Sequence, residues 1–282
     1  MRSIEEKKKH AIFCIRYSIL IKDTKAWKIS RTDPETYKNS LFDPLRLKCR
    51  RETFARITLP SIVSAIKNTP SIHSEIHVLT SIYLPDEDKK FLNNLASNNK
   101  LLKIFYYDEN NANLKASTKS YVDNFVVDGE MVASIRIDDD DGISSDFLTQ
   151  LNQYLKLEFN GFVISISKGY AILLNDENEV VKIAKYKWRF AAIGLAYIYE
   201  KSNLIKHFSI YQCGNHVKTD EKFPSILDCR SESVVRSFNQ YNDSQANFNK
   251  LESINKSAEL SLFEDKFKLD IKFKFEEAGL NV

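Results

Sequence analysis

Glycine and proline are scarce in this chain, at 7 and 6 of 282 residues. That excludes a collagen-like fibre and a Pro/Gly-rich disordered chain. The four cysteines, Cys14, Cys49, Cys213 and Cys229, form no CxxC pair. They are too few for a disulfide scaffold, and reduced thiols in a cytoplasmic protein are the simpler expectation. The formal net charge is only +3, so no bulk basic field for nucleic acid exists. No stretch approaches the roughly 18 apolar residues of a spanning helix. The apolar run 11–20 follows Lys7 to Lys9 but contains Arg16 and leads to no small-residue cleavage site. It is therefore expected to be a core strand and not a signal peptide. Hydrophobic residues, at 43%, are plentiful enough for a sizeable core in one large domain or two small ones.

Patterning predicts strands at residues 11–20, 75–80, 101–107 and 131–137, and a loop at 22–43. Helices are expected over 46–67, interrupted near Pro60 with Thr58 capping a second helix, and over 86–98. A further helix is expected over 144–159, capped by Ser144 or Ser145, while 115–127 is ambiguous. Strand and helix thus alternate in the first half, which predicts a mostly parallel, Rossmann-like sheet with helices on both faces. Ligands of such sheets bind beyond the carboxyl ends of the strands. The second half differs. Short strands at 161–167, 170–175 and 180–186 suggest a smaller antiparallel meander, 190–199 fits helix or strand, and 203–212 fits a strand. From Ser231 the pattern is helical and polar. The alternation Phe267, Leu269, Ile271, Phe273, Phe275 predicts an edge strand, and its interleaved lysines allow peripheral contact with the inner membrane.

Four consecutive aspartates, Asp138 to Asp141, end the apolar run 131–137. Adjacent like charges repel, so folding alone gains nothing from them. Strand alternation puts Ile135 and Ile137 on one face, and Arg136 and Asp138 on the other. Asp138 and Asp140 then form a D-x-D where the chain turns. Two such carboxylates suit Mg²⁺ or Mn²⁺, with the remaining oxygens supplied by substrate phosphates. That chemistry points to a nucleotide-sugar donor and to sugar transfer. Three other readings compete for this run. An EF-hand loop aligned on Gly142 would need ligands at Ile137 and Leu148, and both are wrong. A haloacid-dehalogenase-like phosphatase fits Asp139-x-Asp141-Gly142, but its motif normally ends the first strand of its domain. A solvated acidic turn is the third.

Residues 137–148, I-D-D-D-D-G-I-S-S-D-F-L, resemble the D-x-D-D-x-x-S-P-D-F-L segment of GT-A glycosyltransferases, with Ser145 where proline is usual. Phe13-Cys-Ile-Arg-Tyr-Ser18, Leu41-Phe42-Asp43 with Arg46 and Arg50, residues 54–61 (F-A-R-I-T-L-P-S), Arg136 and Gly214-Asn-His216 are similar to the bacterial "putative rhamnosyltransferase" family. The resemblance implies a GT-A fold over 1–245, with a nucleotide-sugar half at 10–142 and an acceptor half at 143–245. Residues 246–282 would be a C-terminal extension. It also implies a divalent metal, Mn²⁺ or Mg²⁺. By position Asp138 would contact nucleotide or metal, Asp140 would be the principal ligand and Asp141 a support. Arg16 and Arg136 would lie near the nucleotide, and a late histidine, His216, would complete the metal site.

Other candidates follow from chemistry. Arg46, Arg50 and Arg51 can neutralise phosphates bidentately. An inverting transfer needs a general base, for which Asp220, Asp228 and Asp243 are candidates, Asp243 also by resemblance. Tyr186 and Trp188 can stack on an acceptor sugar, with core packing favoured for Trp188. The expected reaction moves a sugar, rhamnose by the family label, to a hydroxyl of a glycan or lipid-linked acceptor in surface polysaccharide synthesis. A non-catalytic carbohydrate- or nucleotide-binding domain is the alternative.

Overall fold

The computed structural model describes residues 8–22, 33–202, 209–242, 248–254 and 257–274. A seven-stranded sheet runs in the order β10-β6-β9-β4-β1-β2-β3. Its members are β1 (Lys9–Tyr17), β2 (Ile72–Ser81), β3 (Leu102–Tyr107), β4 (Met131–Asp138), β6 (Val163–Ile166), β9 (Leu195–Glu200) and β10 (Ser225–Asp228). Only β9 runs against its neighbours. The mostly parallel α/β fold expected from alternation is therefore present. Central β1 is apolar and buried on both faces, as a strand covered on both sides must be. A second sheet orders β5 (Gly142–Ile143), β11 (Val234–Phe238), β7 (Lys168–Leu174) and β8 (Val180–Lys187) as β5-β11-β7-β8.

Helix positions follow from their caps. α1 (Pro34–Leu41) lies inside the expected loop. The Asp33 side chain accepts the Thr36 N–H and Pro34 opens the first turn. The same Asp-Pro pairing starts α2 (Pro44–Thr53), where Asp43 accepts from Leu45 and Arg46. The expected break near Pro60 is instead a π-turn, Phe54–Thr58, in which the Leu59 N–H reaches Phe54. It carries the helix straight on into α3 (Leu59–Asn68), and Thr58 stays helical and caps nothing. A π-turn accommodates the proline without a new helix start. α4 (Asp86–Asn98) and α5 (Ala116–Phe125) follow. The helix expected over 144–159 is shorter: α6 (Phe147–Leu151) gives way to 3₁₀ turns.

The second half departs most from the sequence reading. β7 and β8 form the expected antiparallel pair, but β6 leaves them for the large sheet. Residues 190–199 resolve to strand β9 in their second half. The described end of the 203–212 segment, Ile210–Cys213, is a 3₁₀ turn and not a strand. β11 lies in a region expected to be helical, and pairs parallel with β7. Among the described residues of the tail, up to 274, no edge strand forms and an isolated bridge joins Phe273 to Val180; Phe275 lies outside the described residues. Phe263 and Phe267 are buried with Tyr170, Ile172 and Ile183, beside α7 (Ser257–Lys266). These aromatics cover the second sheet. No helix among the described residues is long and apolar enough to cross a membrane.

Candidate functional site

A cavity of about 520 Å³ opens where β1 and β4 end, the position expected for ligands of an open α/β sheet. Arg16 and Asp138 are register partners on β1 and β4. Both line the cavity together with Arg136, Asp139, Asp140 and Asp141. α2 adds Arg46 and Arg50, the turn leading into β9 adds Ile193, and the 3₁₀ turn at 216–221 adds His216. Most of the residues singled out in the sequence thus meet in one place.

Each aspartate has a distinct environment. Asp138 is the most open, its side chain 35% exposed, with Arg136 Nη2 at 3.4 Å. Burial alone would raise its pKa, but Arg136 and Arg16 outweigh that and hold it below the ordinary carboxylate range. Asp139 is buried and takes an ion pair from Arg50. Burial, with Asp140 beside it, pushes its pKa up against that guanidinium. Asp140 lies 3.2 Å from Arg50 Nη1 and accepts from Asn242 Nδ2 at 2.8 Å. Asp141 accepts the Ser237 N–H at 3.0 Å and so ties the end of β4 to β11. Burial, then Asp140 and Asp138, push it well above the usual range. The acidic run is therefore no solvated turn.

The arginines are held in place by neighbours. Arg16 lies over the Tyr211 ring at 4.8 Å, and Arg136 over the same ring at 5.8 Å. Tyr211 in turn donates to the Cys14 carbonyl at 2.8 Å. Burial and Arg136 lower the Arg16 pKa, a sign of crowded positive charge. Arg46 donates to Ser18 Oγ and the Leu41 carbonyl, at 3.0 and 2.9 Å. His216 Nδ1 lies 2.6 Å from the Phe190 carbonyl. A carbonyl only accepts, so Nδ1 carries the proton and Nε2 of the neutral ring keeps its lone pair. Burial, then Arg136, lower the His216 pKa and favour that neutral form.

Some candidates fall elsewhere. Asp220 does not line the cavity; it pairs with exposed Arg189 at 3.1 Å. Asp228 is buried against Arg230 and Tyr154. Neither lines the cavity, so the structure does not bring either candidate base to the aspartates. Asp243 lies outside the described residues. Arg51 pairs with Glu87 and Asp88. Trp188 is an exposed cavity residue, not a core one, whereas Tyr186 is buried and accepts from Arg236 at 3.1 Å. Arg236 and Asn242 also line the cavity, and sequence reading passed over both. The only local hint was the β-branched pair Val234-Val235 followed by Phe238, too short to outweigh the helical reading of that region.

Among the described residues, no three histidine, cysteine, aspartate or glutamate side chains stand close enough to hold a metal ion by themselves. Asp138 and Asp140 suit a hard cation in kind. They are two, the number used where substrate phosphates complete the shell. The donor set therefore fits Mg²⁺ or Mn²⁺ only together with a phosphate-bearing ligand. Cavity-lining Arg136 Nε and Ser237 Oγ are buried without a hydrogen-bond partner, as expected of a site shaped for something else.

An α/β sheet with acids and arginines gathered at its strand ends forms a polar cleft where ligands of such sheets bind. The family described as "Putative rhamnosyl transferase" matches residues 10–251, and the chain belongs to it. The chain is thus a glycosyltransferase. No curated protein matches it. Among solved structures it is similar to a "Putative Glucose-1-Phosphate Thymidylyltransferase" from Bacillus anthracis in complex with a sucrose. That match has 13% identity and a TM-score of 0.37, over 79% of this chain and 87% of that one. It is also similar to a "putative nucleotide-diphospho-sugar transferase" from Desulfovibrio desulfuricans G20. There identity is 10% and the TM-score 0.31, over 82% of this chain and 81% of that one.

Proposed function

We propose that the cavity binds a nucleoside-diphosphate sugar and a divalent cation, and moves the sugar to an acceptor hydroxyl. The observation that carries this is the meeting of Asp138 and Asp140 with Arg16, Arg46, Arg50 and Arg136 in one cavity. Guanidinium forks suit phosphate oxygens, and a buried cluster of them favours a dianionic group. Mn²⁺ or Mg²⁺, held by Asp138 and Asp140 with His216 at hand, would supply Lewis-acid stabilisation of the departing diphosphate. Arg16 and Arg136, fixed over Tyr211, orient the pyrophosphate before reaction, so little reorganisation remains for the transition state. Arg50, now shared by Asp139 and Asp140, would turn part of its charge to the phosphates.

In the transfer, the acceptor oxygen bonds to the anomeric carbon as the bond from that carbon to the diphosphate oxygen breaks. The acceptor proton has a cavity-lining taker in neutral His216 when that ring is not bound to the cation. The donor sugar is rhamnose by the family's label, and the acceptor a glycan or lipid-linked sugar of a surface polysaccharide. A phosphatase would need Asp139 as nucleophile, but that side chain is buried and tied to Arg50. Thermal unfolding with UDP, dTDP, GDP and CMP, each with and without Mn²⁺, tests the reading. One nucleoside diphosphate should raise Tm only when the metal is present. Equal shifts with and without Mn²⁺ would remove the metal; no shift with any nucleotide would remove the donor site.

A further inference from the structure

Trp188 is the part of the cavity that donor chemistry leaves unused. Its indole lines the cavity and is 56% exposed. A tryptophan left in water forgoes much of the gain its large apolar face makes on burial. Val217 lines the same cavity and is 51% exposed. The two sit on separate segments that are tied together. His216 bonds the Phe190 carbonyl at 2.6 Å, and Arg189 pairs with Asp220 at 3.1 Å. Ala191, Ala192 and Ile193 add further apolar surface to the lining. Four of the five lining arginines, Arg16, Arg46, Arg50 and Arg136, come from other elements, β1, α2 and β4, while Arg236 sits on β11. The cavity thus combines a charged part with an apolar, aromatic part carried by the second half of the chain.

A pyranose ring presents a face of C–H groups, which packs flat on an indole and needs no charge. A nucleobase also stacks, but another apolar wall serves it better. Ile19, Tyr37 and Leu41 line the cavity beside Arg46, whose guanidinium bonds the Leu41 carbonyl. A base attached to a phosphate held by Arg46 would lie there. We propose that Trp188 is the platform for a sugar ring of the acceptor, which makes the acceptor a glycan that stacks its terminal residue on the indole. This deepens the transferase reading and rests on it.

The chain has two tryptophans, Trp27 and Trp188, so Trp27→Phe leaves Trp188 as the sole indole. Its emission is followed against methyl glycosides of rhamnose, glucose, galactose and N-acetylglucosamine, with nucleoside diphosphate and Mn²⁺ present. At least one glycoside should quench or blue-shift it, and the same glycoside should accept sugar in a transfer assay. Trp188→Ala should then raise the KM for that glycoside at least tenfold, with kcat within threefold, and Trp188→Phe should recover most of the loss. A fall in kcat at unchanged KM would overturn the platform. So would a response to nucleotide alone, which would give the indole to the base, or no response to any glycoside. Donor hydrolysis by the wild-type protein is the separate check on the transferase reading.

Discussion

Asp140 accepts from Asn242 and lies 3.2 Å from Arg50, so its carboxylate is held from two sides at the cavity wall. Removing it leaves Arg50 and Asn242 without that partner and takes away one of two carboxylates offered to a cation. Asp140→Ala should lower both transfer and donor hydrolysis by about 10²–10³ or more, the usual scale for loss of one transition-state stabiliser. Initial rates at saturating donor check this; full activity of the variant in the presence of a chelator would remove the metal role. Arg16 differs, because its charge matters less than its shape. A lysine would keep the charge but lose the stack on Tyr211 and the fork toward phosphate. Arg16→Lys should weaken nucleoside-diphosphate binding about tenfold, or about 1.4 kcal/mol, with Tm little changed. Calorimetric titration reads the first and thermal unfolding the second. A wild-type Kd would place Arg16 outside the donor site.

At the scale of elements, the second sheet depends on one close approach. A Cβ on Gly169 would stand 1.8 Å from the Val234 carbonyl oxygen, which is backbone and has nowhere to go. Gly169 and Val234 are register partners of β7 and β11. Gly169→Ala should therefore push the strands apart and cost roughly 3 kcal/mol or more. For a chain of this size that is roughly 6–12 °C in Tm. Because Asp141 is tied to the Ser237 N–H on β11, donor binding should weaken too. A variant with wild-type Tm would mean that β7 and β11 tolerate separation. The same elements mark what sequence reading could reach. β1 and β4 carry continuous apolar runs; the end of β4 at Asp138 was readable from the sequence, whereas β1 ends at Tyr17, short of the expected residue 20. α1 and α2 begin on Asp-Pro caps that were legible in principle, but only the second lay in a segment read as helix. β11 and its Arg236 were not legible, because its pairing with β7 is a contact between distant segments. Short range gave Ser231 onward a polar, helix-like pattern, and the pairing overrode it.

The chain crosses between the two sheets repeatedly, the last time between β10 and β11. Asp228 ends β10 and accepts from Tyr154 at 2.8 Å and from Arg230 Nη2 at 2.7 Å. Just beyond, Ser231 and Ser233 both donate to Gln150, at 2.9 and 2.6 Å. Arg230 chiefly, against a smaller opposing effect of burial, holds the Asp228 pKa far below its ordinary value of 3.8. In the unfolded chain that value returns, so the unfolded state binds the proton more readily. The stabilisation by Asp228 is then fully present above about pH 4 and is lost as pH falls below it toward the folded pKa. Urea midpoints at pH 5.5, 4.0 and 3.0 should decline more steeply below pH 4 than above. Asp228→Asn should start lower at pH 5.5, since it loses the charged pairing, and should decline less between pH 4.0 and 3.0. The cavity acids do not mimic this: burial raises Asp139 and Asp141, so their contribution grows as pH falls toward about 4 and levels off below it. An unchanged slope in Asp228→Asn would move the acid-sensitive lock away from the crossing between the sheets.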